Sequence, residues 1–183
     1  QSQSQGRPAS HATRTHEGLV SPVTLVSKTY WLGAPFFFKQ EPENAQVRSL
    51  SFHSADLRQL GGLYWTPENN PLPLAPAVFM HPRVAFTPHY TIPRLLEAGI
   101  GCLAANSRNP NNDTTTVHED IILDVGACVR VLKEEHGAEY VVLLGNSGGG
   151  SLDAFYQCQA SLAKESRIQT TPGGAPTALG RVD

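Results

Sequence analysis

The chain of 183 residues is poor in cysteine, with three, has one methionine, and is only 16% charged. Cys102, Cys128 and Cys158 lie in apolar stretches that read as strand or helix interiors. Their odd number and placement predict buried free thiols rather than a disulfide framework, and from this a cytoplasmic setting is expected. None has metal-ligand spacing to another cysteine or histidine, which argues against zinc; no metal and no organic cofactor is expected. A net charge of −2 offers no general affinity for nucleic acid or anionic lipid. No apolar run approaches the roughly 20 residues that cross a bilayer, so no membrane span is expected. The chain opens Gln1-Ser-Gln-Ser-Gln5 without a methionine, which predicts a processed or truncated start. Internal repeats are absent. The last histidine is His136.

What is present reads as an alternation of elements. Val47 to Thr66 alternates as two antiparallel strands, with Asp56 and Gly61-Gly62 as turn signals. A proline-rich connection over 67–76 leads to a short buried strand, Ala77 to Met80, ending at His81-Pro82. Thr91 to Ala98 reads as a helix stopped by Gly99, and Ile100 to Ala105 as a second buried strand. Val117 to His136 carries the strongest helical periodicity, with Ile121, Ile122, Val125, Cys128, Val129 and Leu132 on one stripe and Gly137 closing it. Tyr140 to Leu144 reads as a third buried strand. Apolar strands alternating with helices predict an α/β domain, a mostly parallel sheet with helices on both faces. Right-handed crossovers would bring the strand C-termini, and with them His81, the loop 106–116 and residue 147, to one edge.

The third strand runs into Gly145-Asn146-Ser147-Gly148-Gly149, followed by an amphipathic segment from Ser151 to Gln159. This is G-x-S-x-G between a strand and a helix, the setting of a nucleophile elbow. A serine in such a turn is held in a strained backbone conformation, which needs small neighbours on both sides. The first turn of the following helix aims backbone N–H groups at the reacting oxygen. The competing reading is a structural or phosphate-cradling glycine turn. No lysine follows the glycines, so the G-x-x-x-x-G-K-[ST] phosphate loop is not met, and the spacing does not fit G-x-G-x-x-G. Ser147 is therefore the candidate nucleophile.

In the combination of antiparallel opening hairpin, strand ending in His-Pro, and elbow, the chain resembles the α/β-hydrolase superfamily over residues 45–165. The resemblance implies the first part of that fold, incomplete in this chain, with Ser147 as catalytic nucleophile and the Gly148 N–H as one oxyanion donor. The family's second donor follows a His-Gly motif; here proline stands at 82 and has no N–H, which moves the donor to Arg83. His81 in this position shapes the oxyanion loop. The Arg83 side chain is open to two readings, a contact to a substrate carboxylate or a solvated surface cation.

The resemblance also implies a triad ordered Ser, then Asp or Glu, then His. After Ser147 there are Asp153, Glu165 and Asp183 but no histidine, and a serine without a general base is a poor nucleophile. Upstream histidines, His81, His89 and His118 among them, are the weaker alternative. The expected partner is a second polypeptide, or a missing segment, carrying the rest of the fold with the triad His and acid. The expected activity is a serine hydrolase acting on a small ester or lactone, or an amide, through an acyl-enzyme. Its alternatives are an acyltransferase and a non-catalytic binding subunit of the same fold.

Three segments complete the division. Residues 1–44 read as a polar N-terminal arm with an aromatic segment, Tyr30-Trp31 and Phe36 to Phe38, that closes the core or lies over the site. Residues 45–169 are the hydrolase-like part. Residues 170–183, TTPGGAPTALGRVD, read as a flexible tail and a cleavage point. The loop 106–116 has two open readings: a rim binding polar substrate groups through Arg108, Asn112 or Asp113, or turn and cap chemistry with no ligand.

Overall fold

The computed structural model describes residues 42–112 and 114–182. Expectations for the N-terminal arm, for Tyr30-Trp31, Phe36 to Phe38, His11 and His16, and for Asp113 and Asp183 fall outside these residues. The elements are β1 (Ala45–His53), β2 (Gln59–Pro67), β3 (Ala77–Phe79), α1 (Ile92–Glu97), β4 (Cys102–Ala105), α2 (His118–Glu134), β5 (Val142–Leu143) and α3 (Gly148–Ala160).

One five-stranded sheet runs in the order β1-β2-β4-β3-β5. β2 is antiparallel to both β1 and β4, while β3 is parallel to β4 and to β5. Four strands therefore point one way, and β2 alone runs against them. The period-2 alternation of each strand divides two cores. Val78, Leu103, Ala105 and Tyr64 pack with α2 and α3 on one face. Ala77, Phe79, Cys102, Ala104 and Trp65 pack with α1 on the other. Helices thus cover both faces, as the continuous apolar strands require.

The opening hairpin turns at Ser54–Arg58, not at the glycines. Ser54 N–H donates to the Arg58 carbonyl at 2.9 Å, Ser54 Oγ donates to Asp56, and Leu57 takes φ 68°. Gly61 and Gly62 lie inside β2 instead. A Cβ on Gly62 would stand 2.9 Å from the Ala104 carbonyl oxygen, so this glycine lets β2 approach β4. Gly99 and Gly137, at φ 77° and 69°, end α1 and the turn after α2 as left-handed stops.

Three further expectations are corrected. β5 is not a buried strand: it forms the sheet edge, with Tyr140 63% and Val142 48% exposed. Cys102 and Cys128 are buried, but Cys158 is exposed, because it falls on the outer face of α3. The segment 170–182 is folded, not loose. Thr170 bridges Pro176, and a 3-10 turn at Leu179–Arg181 puts Leu179 and Val182 into the α2–α3 core. The Arg167 guanidinium locks it there, donating to the carbonyls of Leu179 and Val182 at 3.0 and 2.8 Å. No helix among the described residues is long and apolar enough to cross a membrane.

Candidate active site

Ser147 has φ 54° and ψ −125°, a region that L-residues avoid. Holding a side chain there costs of order 1–3 kcal/mol and persists only where the surroundings impose it. Two flanking glycines impose it here. A Cβ on Gly145 would lie 2.4 Å from the Gly150 Cα, and one on Gly149 would lie 2.5 Å from the Met80 carbonyl oxygen. The turn closes with Gly149 N–H on the Asn146 carbonyl (2.9 Å) and Gly150 N–H on that of Ser147 (3.1 Å). Helix α3 begins at Gly148, directly after the serine and three residues before the amphipathic stretch. The N–H of Gly148 is therefore the first of the helix and has no acceptor within it.

Facing this turn is the loop after β3. His81 is buried, and its Nδ1 accepts the backbone N–H groups of both Arg83 and Val84 at 3.0 Å. Its Nε2 reaches to 3.0 Å from the place a Gly148 Cβ would occupy, with Pro82 Cγ at 3.3 Å. The histidine thus shapes the loop, and the Arg83 N–H, expected as an oxyanion donor, is turned into that ring. The Arg83 side chain is exposed. The loop after β4 braces the same turn, with Ser107 Oγ donating to the Pro82 carbonyl at 2.9 Å and Asn111 N–H to that of Arg83.

Arg108, for which a substrate rim and a loop-shaping role were both open, has a side chain only 8% exposed and committed to ion pairs. It meets Asp124 of α2 at 2.7 Å and Asp56 of the hairpin turn at 2.7 Å, and its backbone N–H also donates to Asp124. Asn112 is engaged in a local turn: its Oδ1 accepts from Thr114 N–H at 2.9 Å and its Nδ2 donates to Thr115 Oγ1. Helix α2 starts at His118, and its N-cap residue Val117 offers no side-chain cap. Asp113 lies outside the described residues.

Linear order hides two members of the neighbourhood. The Asn146 amide donates to Tyr90 Oη at 3.2 Å, tying the elbow to the far end of the β3 loop. Between them runs a ladder of rings, His81–Phe86–His89–Tyr90, with centroids 4.4–5.0 Å apart. Burial lowers the His89 pKa to about 4. His53 and His118 are exposed, and His136 packs on Tyr64. A cleft of about 520 Å³ is lined by Gln59 to Leu63 of β2 together with Thr87 and Asn106–Arg108. Among the described residues no cluster of three or more His, Cys, Asp or Glu could hold a metal ion.

No protein-family model matches the chain, and no curated protein matches it by sequence. Solved structures do. A bacterial heroin esterase aligns at TM-score 0.52 and 19% identity over 67% of this chain and 41% of its own. A post-proline cleaving enzyme from Rickettsia typhi aligns at 0.55 and 14% over 66% and 20%. Brefeldin A esterase, a bacterial homologue of human hormone-sensitive lipase, aligns at 0.54 and 16% over 67% and 37%. The chain spans less than half the length of each. At these identities the likeness is one of fold: the chain has part of the α/β-hydrolase fold, the mixed sheet with helices on both faces.

Proposed function

We propose that this chain carries the nucleophile of a serine hydrolase that cleaves a carboxylic ester or lactone, or an amide, through an acyl-enzyme on Ser147. The observation that carries the reading is the backbone of Ser147, strained at φ 54° between two glycines that nothing larger can replace. A structural turn has no need of such a conformation at a serine, whereas a nucleophile gains from it an Oγ set at the sheet edge in front of a helix N-terminus. The Oγ attacks the carbonyl carbon and the Gly148 N–H receives the developing oxyanion. The serine proton passes to a histidine, held by an acid, from a segment or polypeptide outside this chain. That relatives of the same fold are named as esterases and as a post-proline cleaving enzyme supports this chemistry.

A second reading is a non-catalytic subunit of the same fold, in which Ser147 does not react. Intact-mass spectrometry after exposure to a fluorophosphonate separates the two. Natively purified protein should gain one adduct, mapped to Ser147 and absent from Ser147→Ala, in a sample that also contains a companion chain. Complete absence of the adduct would leave the non-catalytic reading standing.

A further inference from the structure

We infer that the second oxyanion donor of this site is the Nε2–H of His81, a ring donor standing in for the backbone N–H that Pro82 lacks. The inference rests on the reading of Ser147 as the nucleophile that takes up the acyl group.

The hydrogen bonds of the ring place its proton. Nδ1 accepts two backbone N–H groups, from Arg83 and Val84, each at 3.0 Å. A nitrogen that accepts twice holds a lone pair and no hydrogen, so the proton of the neutral imidazole is on Nε2. That nitrogen faces the elbow, 3.0 Å from the Cβ position of Gly148, with Cε1 at 3.4 Å. The first donor of the site belongs to this same residue. Two backbone N–H groups taken up by the Nδ1 side of the ring are thereby exchanged, through the ring, for one N–H beside Gly148. The same tautomer makes His81 unsuited to be the general base, because its lone pair faces the loop.

The donor is also held rigidly, which decides how much an oxyanion contact stabilises. His81 is 4% exposed and backed by Phe86 at a ring distance of 5.0 Å. Its loop is pinned by Ser107 on the Pro82 carbonyl and Asn111 on that of Arg83. In the addition step the Oγ–carbon bond forms and the carbonyl π pair moves onto oxygen. The serine proton leaves to the external base, and the oxygen is received between Gly148 N–H and His81 Nε2–H. On collapse the carbonyl re-forms and the leaving alcohol takes that proton.

The test compares His81→Phe and His81→Gln with the unaltered chain, each purified natively. The readout is the rate at which a fluorophosphonate, losing fluoride, bonds to Ser147 Oγ. Glutamine keeps an N–H donor near the Nε2 position and phenylalanine keeps the ring without one. Labelling should slow about 100-fold or more in His81→Phe, in line with loss of one oxyanion donor, and recover in part in His81→Gln. In parallel, ¹⁵N spectra of histidine-labelled chain should show His81 protonated on Nε2 and bare on Nδ1. His81→Phe labelled at the unaltered rate, or a His81 proton on Nδ1, overturns the donor role alone. The spectrum decides even where the phenylalanine variant fails to fold. No adduct in the unaltered chain overturns the hydrolase reading and the donor role with it.

Discussion

Asp153 lies on the buried face of α3, with Gly149, Leu152, Tyr156 and Gln159, and neither of its carboxylate oxygens has a hydrogen-bond partner among the described residues. Burial raises its pKa from 3.8 to about 7. The sign is the reverse of the usual acid. Between about pH 4 and 7 the folded chain holds a proton that the unfolded chain has lost, so stability falls as pH rises and levels off above 7. Asp153→Asn should therefore gain on the unaltered chain by roughly 1.4 kcal/mol per pH unit through that window, measured by urea unfolding from pH 4 to 8. Equal stabilities at pH 8 would show that the carboxylate finds a partner or water. The candidate site divides at this scale by whether a residue's surroundings are local. Ser147 was legible because its strain is imposed by glycines two positions to either side, and His81 because a His-Pro turn closes on itself. The direction of the Arg83 N–H was not, since it depends on which ring nitrogen turns inward. Tyr90 leaves no mark in the sequence, as its contact with Asn146 spans 56 residues.

At the scale of elements, Arg108 joins three pieces that the chain separates: the β1–β2 turn through Asp56, the loop after β4, and α2 through Asp124. Asp124 is fully buried, and burial pushes its carboxyl up even with Arg108 against it. Removing the arginine strands that carboxyl, so Arg108→Met should destabilise by about 3–5 kcal/mol, and Arg108→Met with Asp124→Asn should recover much of the loss. Thermal unfolding of both variants checks this; a loss below about 1 kcal/mol would mean that the cluster is solvated. The elements themselves were legible to within a few residues, because strand alternation and the α2 stripe are local patterns. Asp56 marked the hairpin turn, while the glycines read with it belong to the strand for a physical reason. Gly61-Gly62 looks like turn chemistry, but Gly62 answers to the Ala104 backbone on a strand 42 positions away by the Gly62–Ala105 and Leu63–Ala104 pairing. The ion pairs of Arg108 were not legible likewise, its partners lying 16 and 52 residues off. One signal was available: Asp124 interrupts the apolar stripe of α2, and a buried acid asks for a cation.

At the scale of the whole molecule, the sheet ends at β1 on one side and at β5 on the other. Among the described residues β5 bonds only to β3, with Val142 and Leu144 N–H donating to the carbonyls of Pro76 and Val78 at 3.0 Å. By the alternation of a parallel ladder, the N–H groups of Val141 and Leu143 point to the edge that no described strand covers. Exposed Val142 and Tyr140 flank it, and an edge of this kind is a template for another strand. It is also the edge nearest Ser147, so whatever pairs there enters beside the nucleophile, where the proposed external histidine must come from. Hydrogen exchange tests this without requiring activity. In the isolated chain the Val141 and Leu143 amides should exchange quickly while Leu103 and Ala104, central in the sheet, stay protected. With the natively associated companion present, Val141 and Leu143 should become protected by tenfold or more, and the β1 edge should not change. Protection confined to β1, or none at either edge, would place the companion elsewhere and remove the sheet-extension route by which a base reaches Ser147.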